Sequence, residues 1–328
     1  MAPTFGWSST SEEVATAFAD EIKGQNVLIT GTSLNGLGFE SARVIAKYAN
    51  LIIITGYNAE RLKLSQDALE KEIPGANIRP LVLNLASLSS VRTAAAEVNA
   101  YSESIDVLIN NAASSVCDFE LTIDGFERQM ATAHIGPFLF TALILSKIFA
   151  AKTASFIPRV VYVSSGAHAW CEGVNLEEME HPNKNTYKAM AAYAQSKSAN
   201  ILIASEFARR AAGKINVYSL RPGAIATNFV TNNIAYEALS TAGIVNEDGT
   251  PNLDKLTWKT LPQGAATIIT AAFDPSLNDK SGCYLTDSAE DNKSISEHAS
   301  NPEIAAKLWE LSEKLVGERF ELSGAGRD

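Results

Sequence analysis

Cross-linking chemistry is scarce in this sequence. Its 328 residues include three cysteines, Cys117, Cys171 and Cys283, odd in number, far apart and without CxxC spacing. Neither a disulfide framework nor a zinc site fits that pattern, so no metal is expected and a reducing, cytoplasmic location suits it best. A cationic surplus is also missing: 27 Lys and Arg face 37 Asp and Glu, for a formal net charge of -10. Nucleic acid and anionic membrane surfaces repel such a chain, and neither is expected as its main partner. Residues 1–20 have no basic or apolar segment of the kind that directs secretion. The most apolar long stretch, residues 135–151, is interrupted by Pro137 and Lys147 and is short for a bilayer span. A buried helix, with no membrane anchor, is the expectation there. Internal repeats, charge blocks and low-complexity linkers are absent too, which argues against a second domain.

What the chain does have is a hydrophobic content of 46%, enough for a sizeable core. From Asn26 onward, short β-branched runs alternate with helical patterns. Candidate strands fall at 26–30, 51–55, 78–83, 105–110, 159–164, 215–220 and 283–286, with helical stretches such as 36–48, 60–72, 87–100, 121–151 and 187–212 between them. This alternation predicts a Rossmann-type, doubly wound α/β fold, with a seven-stranded parallel sheet and helices on both faces. Uninterrupted apolar runs such as Leu-Ile-Ile-Ile at 51–54 suit strands covered from both sides. Residues 1–25 read as an N-terminal extension to a single domain spanning 26–328. Between about 229 and 260 turn formers break the rhythm, and an insertion after the sixth strand would sit at the carboxyl edge of the sheet as a candidate substrate lid.

Thr30-Gly31-Thr32-Ser33-Leu34-Asn35-Gly36-Leu37-Gly38 follows the first predicted strand and opens the first helix. Glycines there permit positive φ and close backbone approach, and a helix N-terminus adds partial positive charge, which together suit a dinucleotide pyrophosphate. The loop resembles the TGxxxGxG of the short-chain dehydrogenase/reductase family, its retinol-dehydrogenase-like and fungal carbonyl reductase members in particular, with one extra residue between Gly31 and Gly36. Asn110-Asn111-Ala112-Ala113 resembles the family's NNAG, with Ala113 in place of Gly, and implies a sheet-stabilising role and a place for Asn111 and Ala112 beside the cofactor. At the end of the second strand, Tyr57 and Asn58 match the position that distinguishes cofactors, where Asp holds the ribose of NAD and Arg the 2'-phosphate of NADP. Without an acid there, NADP(H) is expected over NAD(H), with Arg61 or Arg43 reaching the phosphate. Asn84, followed by Leu85, replaces an adenine-contacting Asp of the family, and its carbonyl is expected to accept from the adenine amine.

Tyr193 and Lys197 stand four apart on a predicted helix, hence on one face. A phenol whose ordinary pKa is near ~10 needs a nearby cation to act as an acid or base at neutral pH. Upstream, Val160-Val161-Tyr162-Val163-Ser164-Ser165 is an apolar strand ending in hydroxyls. The family resemblance implies that Ser165, rather than Ser164, holds the substrate carbonyl beside Tyr193, and that Lys197 also binds the nicotinamide ribose. Arg221-Pro222-Gly223-Ala224-Ile225-Ala226-Thr227 is similar to the family's PGxxxT segment, which places Pro222, Gly223, Ile225 and Thr227 at the nicotinamide. The resemblance runs from Asn26 to about Asp287.

The same resemblance implies a carbonyl/alcohol oxidoreductase acting on a hydrophobic small molecule, assembled as a homodimer or homotetramer. His168, Trp170, Tyr187, Asn228 and Phe229 are the candidate substrate contacts. The family's relay Asn falls here on Ala133, so His134 or a backbone carbonyl is expected to take its place. Two rivals follow from the departures at Ala133, Asn84, Tyr57 and Ala113. One is a redox-neutral or atypical reaction of the same fold; the other is a dinucleotide sensor without turnover.

Overall fold

The computed structural model describes residues 4–226, 233–241 and 243–322. Ten strands occur among them: β1 (Asn26–Ile29), β2 (Leu51–Gly56), β3 (Ile78–Val82), β4 (Val107–Asn110), β5 (Arg159–Val163), β6 (Asn216–Arg221), β7 (Ala224–Ile225), β8 (Trp258–Lys259), β9 (Tyr284–Thr286) and β10 (Ala289–Glu290). Eight of them form one sheet in the order β10-β9-β6-β5-β4-β1-β2-β3. Seven run parallel, as the sequence predicts. The eighth, β10, is an antiparallel edge addition, folded back on β9 through Asp287 and Ser288, both at positive φ.

The helices are α1 (Ser11–Ala17), α2 (Ala19–Ile22), α3 (Leu37–Ile45), α4 (Ala59–Glu72), α5 (Leu88–Ala100), α6 (Arg128–Met130), α7 (Gly136–Leu143), α8 (Leu145–Phe149), α9 (Leu176–Glu180), α10 (Ala189–Arg210), α11 (Asn233–Thr241), α12 (Leu261–Phe273), α13 (Glu297–Ser300) and α14 (Pro302–Val316). Successive residues of a strand point to opposite faces, and each strand therefore feeds two cores. Leu28, Leu51, Ile53, Leu108, Val160 and Tyr162 pack under α5, α7, α10 and α14. Val27, Ile29, Ile52, Ile54, Ile109 and Val161 pack under α1, α3, α4 and α12.

Two expectations change. The helix predicted over 121–151 is broken. Its first residues form a turn in which Glu127 caps α6 through both carboxylate oxygens, and a π-helical turn at Ala131–Ile135 precedes α7. Pro137 lies in the first turn of α7 and has no N–H for the Ala133 carbonyl four residues back, which disrupts the α-helical ladder at that turn. The N-terminal segment is part of the domain rather than a peripheral extension. A capping box between Thr10 and Glu13 starts α1, Ser11 donates to buried Glu40 at 2.6 Å, and Val14, Phe18 and Ile22 are buried. Their i, i+4, i+8 spacing is a helical stripe.

The insertion is also anchored. β7 and β8 pair in parallel, so the residues between them leave and return at one place. Within the insertion, Leu239 and Val245 form a small core with Tyr236, Ile244 and Trp258, and this core packs on Met190 of α10. No helix among the described residues is long and apolar enough to cross a membrane.

At the far side of α10, Trp309 of α14 is fully buried, its ring edge-on to Phe207 at 4.6 Å and Phe138 at 5.0 Å with the Arg210 guanidinium 4.5 Å from its centroid. Trp309→Ala is expected to destabilise the protein by about 3–5 kcal/mol in chemical denaturation, as other large buried aromatics do. A loss below about 1 kcal/mol would mean that α14 does not brace α10.

Candidate active site at the carboxyl edge of the sheet

Thr30 follows β1 and is fully buried. Its hydroxyl oxygen accepts the N–H groups of Asn111 and Ala112, each at 3.0 Å. In return, the Asn111 side-chain amide donates to the carbonyls of Thr30 and Gly31, each at 2.9 Å. The glycine loop is thereby fastened to the residues that follow β4. Gly31 has φ of 72°, and a Cβ there would lie 2.8 Å from the Ala112 Cα; one on Gly38 would lie 2.4 Å from the Gly31 carbonyl oxygen. Asn35 adopts φ of 61°, a left-handed conformation that Asn tolerates. Gly36 precedes α3, and no side chain caps that helix. Its first-turn amides are thus available to an anionic ligand. On the opposite bank, Ile225 and Leu37 close over Gly264 of α12, where a Cβ would strike Ile225 Cδ1 at 2.4 Å. Pro222 is buried and Gly223 has φ of 100°.

The catalytic candidates meet where β5 ends. The Ser165 side chain accepts the Ala167 N–H at 3.2 Å and stands close enough to the Tyr193 phenol to favour its ionised form, while Ser164 is buried and spends its hydroxyl on the Lys197 carbonyl at 2.7 Å. Burial pushes the phenol up to about 12, and the Ser165 side chain opposes it. Lys197 is 3% exposed and burial pushes its ammonium down to about 8. Its Nζ donates to the Val163 carbonyl at 3.1 Å and lies 5.7 Å from the Tyr193 ring centroid. Met190, Tyr193 and Lys197 follow i, i+3, i+7 spacing on α10 and so share a face, the one against which the insertion packs.

Several sequence-predicted residues take other places. Arg43 is tied to Glu40 at 2.8 Å, Glu72 at 3.0 Å and Glu12 at 3.3 Å, which removes it from any phosphate. Arg61 instead stands beside the cofactor-distinguishing position, its guanidinium 3.5 Å from the Tyr57 hydroxyl. Asn58 caps α4 by accepting the Arg61 N–H at 2.9 Å. The Asn84 side-chain oxygen, expected on an adenine amine, accepts the Ala86 N–H at 3.0 Å. Leu85 is buried, with its carbonyl against Gly136.

His168 is buried, and both ring nitrogens meet backbone groups: Nδ1 is 2.8 Å from the Ser165 carbonyl and Nε2 accepts the Ser296 N–H at 3.3 Å. Its role is structural, not a substrate contact. Tyr187 lines a cleft of about 410 Å³ with Phe119, Met130, Ala192 and Gln195. Ala192 and Gln195 lie on the side of α10 opposite Tyr193 and Lys197, so this cleft is behind the catalytic helix. The Tyr187 hydroxyl is shared there among the Cys117 carbonyl at 2.8 Å, Gln129 Nε2 at 2.8 Å and Glu127 at 3.2 Å. Trp170 is 53% exposed at the end of a short turn leading from Ser165. Thr227, Asn228 and Phe229 lie outside the described residues.

Near the Ala133 position, His134 is buried with Nε2 2.7 Å from the Ser312 hydroxyl, and burial pushes it down to about 3. A neutral, engaged imidazole is no proton shuttle, which leaves the backbone carbonyl of the two expected substitutes. Sequence reasoning passed over Thr30, Thr55 and Asn200. Thr55 accepts Gly31 N–H on its hydroxyl at 3.2 Å and Thr32 N–H on its carbonyl at 3.0 Å. For Asn200 a signal existed: it stands three residues past Lys197 on the same helical face.

Comparison with known proteins agrees with this geometry. A family model described as short chain dehydrogenase matches residues 25–172. The chain is 34% identical over 318 residues to short-chain dehydrogenase TIC 32 A, chloroplastic, of Brassica napus, covering 95% of this chain and 94% of that protein. It is 32% identical to retinol dehydrogenase 14 of Homo sapiens, covering 90% of this chain and 87% of the relative. The fold matches a crystal structure of an uncharacterized protein from Mycobacterium paratuberculosis with a TM-score of 0.66 and 28% identity, covering 96% of this chain and 99% of that one. A short chain dehydrogenase of Escherichia coli complexed with NADPH shares the fold at a TM-score of 0.60 and 19% identity, over 81% of this chain and 97% of the other. With its glycine loop, its Ser-Tyr-Lys cluster and these relatives, the chain is a member of the short-chain dehydrogenase/reductase family, an oxidoreductase built to hold a nicotinamide dinucleotide.

Proposed function

We propose that the protein interconverts a carbonyl and an alcohol on a hydrophobic small molecule, using NADP(H) in preference to NAD(H). The convergence of Ser165 and Lys197 around the Tyr193 phenol carries this reading. The uncapped start of α3 and the glycine loop would hold the pyrophosphate, and Ile225 with Leu37 would flank the nicotinamide side. When bound, the cofactor supplies or accepts the hydride.

In the reductive direction, the Ser165 hydroxyl orients the substrate oxygen and the Tyr193 hydroxyl gives it a proton as negative charge develops there. The alcohol forms and Tyr193 is left as a phenolate, which Lys197 stabilises until a solvent proton restores the phenol. Oxidation runs the same transfers backwards, with Tyr193 taking the proton. Exposed Trp170 and the apolar core of the insertion, Tyr236, Ile244 and Trp258, support a hydrophobic substrate.

The cofactor preference rests on the recess of about 230 Å³ that Thr32, Ser33, Tyr57, Asn58 and Arg61 line beside the end of β2. Its one cation is Arg61 and it contains no carboxylate. A guanidinium pairs strongly with phosphate, and an acid there would repel it.

Tyr193→Phe removes the proton donor while leaving the ring in place, and is expected to lower ketone-dependent NADPH oxidation by at least about a thousandfold with cofactor affinity within a factor of a few. Turnover that survived this change would remove Tyr193 from the mechanism; absence of turnover in the wild type across aromatic and aliphatic ketones would favour the sensor or the atypical reaction. For the preference, fluorescence titration of Arg61→Ala is expected to weaken NADPH binding about tenfold or more and leave NADH binding unchanged. Equal effects on both cofactors would show that Arg61 does not read the phosphate.

A further inference from the structure

Val163 is the last residue of β5, and its carbonyl is where Lys197 rests. Within a parallel strand, alternate residues face alternate neighbours. Ser164 gives its N–H to the Leu220 carbonyl of β6, so Val163 faces the β4 side, as does Arg159, whose N–H goes to the Asp106 carbonyl. Continuing that spacing, the N–H that should reach the Val163 carbonyl is that of Ala112. The β4–β5 ladder stops at Asn110 and Tyr162, and Ala112 turns its N–H to the Thr30 hydroxyl instead. The Val163 carbonyl therefore loses its sheet partner because the crevice opens there.

Two side chains of α10 replace that partner: Lys197 Nζ at 3.1 Å and Asn200 Nδ2 at 3.3 Å. Asn200 is 2% exposed, and its Oδ1 is buried without a partner. An Asn kept in the interior with half of its polar capacity unmet costs stability that a leucine of similar size would not. The one polar contact it makes is with the carbonyl that holds the catalytic ammonium.

We propose that Asn200 is a positioning residue for Lys197: by occupying one lone pair of the Val163 carbonyl, its amide keeps that group satisfied and frees the ammonium to serve Tyr193. The inference rests on the carbonyl/alcohol reading above. With Asn200 in place, Lys197 can turn its N–H groups toward the phenol without stranding a buried carbonyl. Without the amide, the ammonium is the carbonyl's remaining side-chain donor and is pinned to it.

The test uses Asn200→Leu, which removes the donor, and Asn200→Asp, which keeps the shape but offers a carboxylate that also holds Lys197. Tyrosinate absorbance is titrated against pH in the full-length protein, with and without NADP+, and the Tyr193→Phe titration is subtracted to isolate one phenol. An ammonium drawn away from a phenol raises that phenol's pKa. Both variants are expected to titrate Tyr193 about one unit higher than wild type, a tenfold change in ionisation, and to shift the basic limb of kcat upward with about a tenfold lower kcat near neutral pH. Asn200→Gln, which keeps the amide, is expected to move both readouts back toward wild type. If Asn200→Leu does not fold, Asn200→Asp carries the comparison. Superimposable Tyr193 titrations in wild type and both variants would overturn the proposal, even if turnover falls. Should the wild type transfer no hydride, the reaction reading fails by itself, while the titration still decides the role of Asn200.

Discussion

The hydroxyl of Thr30 holds the site open. Two backbone N–H groups, of Asn111 and Ala112, leave the path of the sheet to reach it, and three consequences follow from that one diversion. The chain after β4 separates from β5, which opens the carboxyl edge of the sheet beside the β1/β4 boundary where the strand order reverses, and open α/β sheets bind ligands at such points. Asn111 is brought back over the glycine loop and fixes the Thr30 and Gly31 carbonyls. The Val163 carbonyl is left for side chains of α10, and Lys197 takes its place there. The glycine loop and Lys197 are thus set by the same buried oxygen.

Around this hub the protein is stiff where chemistry needs position. The catalytic helix α10 is packed against β5 and β6 on one side and braced by α14 on another, with Trp309 filling the space between Phe138 and Phe207. Its N-terminal end meets a different kind of neighbour. Met190 touches the small core of the insertion, whose two ends are held together by β7 and β8. The described part of the insertion therefore rests on the first turn of α10, one turn before Tyr193.

Much of this was legible in the chain alone, for physical reasons. Strands apolar on both faces and separated by helical patterns admit few architectures, and all seven parallel strands fall within two residues of the predicted bounds. Tyr193 and Lys197 were found because i, i+4 spacing is a local property of a helix. What the sequence obscured depends on direction or on distant contacts. His168 and Tyr187 lie close in sequence to Ser165 and Tyr193, yet one is buried among backbone groups and the other swings behind α10. Arg43 looked free for a phosphate because nothing local reveals its partners, Glu12 and Glu72, which lie about 30 residues away on either side. The stripe Val14, Phe18, Ile22 was visible and was passed over as an extension. The role of Thr30 is invisible without the divergence of β4 from β5, which leaves amides in need of it, and for Asn200 the spacing shows its place beside Lys197 but not the carbonyl it meets.

The central claim is that the Thr30 hydroxyl organises the cofactor crevice, and its most direct test is cofactor affinity in Thr30→Val beside Thr30→Ser, measured by fluorescence titration with NADPH on protein shown by circular dichroism to be folded. Valine keeps the volume and removes the acceptor, leaving the Ala112 N–H unmet and the Asn111 N–H with only the Ile109 carbonyl at 3.1 Å, whereas serine keeps the acceptor. The account predicts that Thr30→Val loses NADPH affinity about tenfold to a hundredfold while Thr30→Ser stays within a factor of about three of wild type. A folded Thr30→Val with wild-type affinity would contradict it, and would mean that the crevice is held open by packing alone.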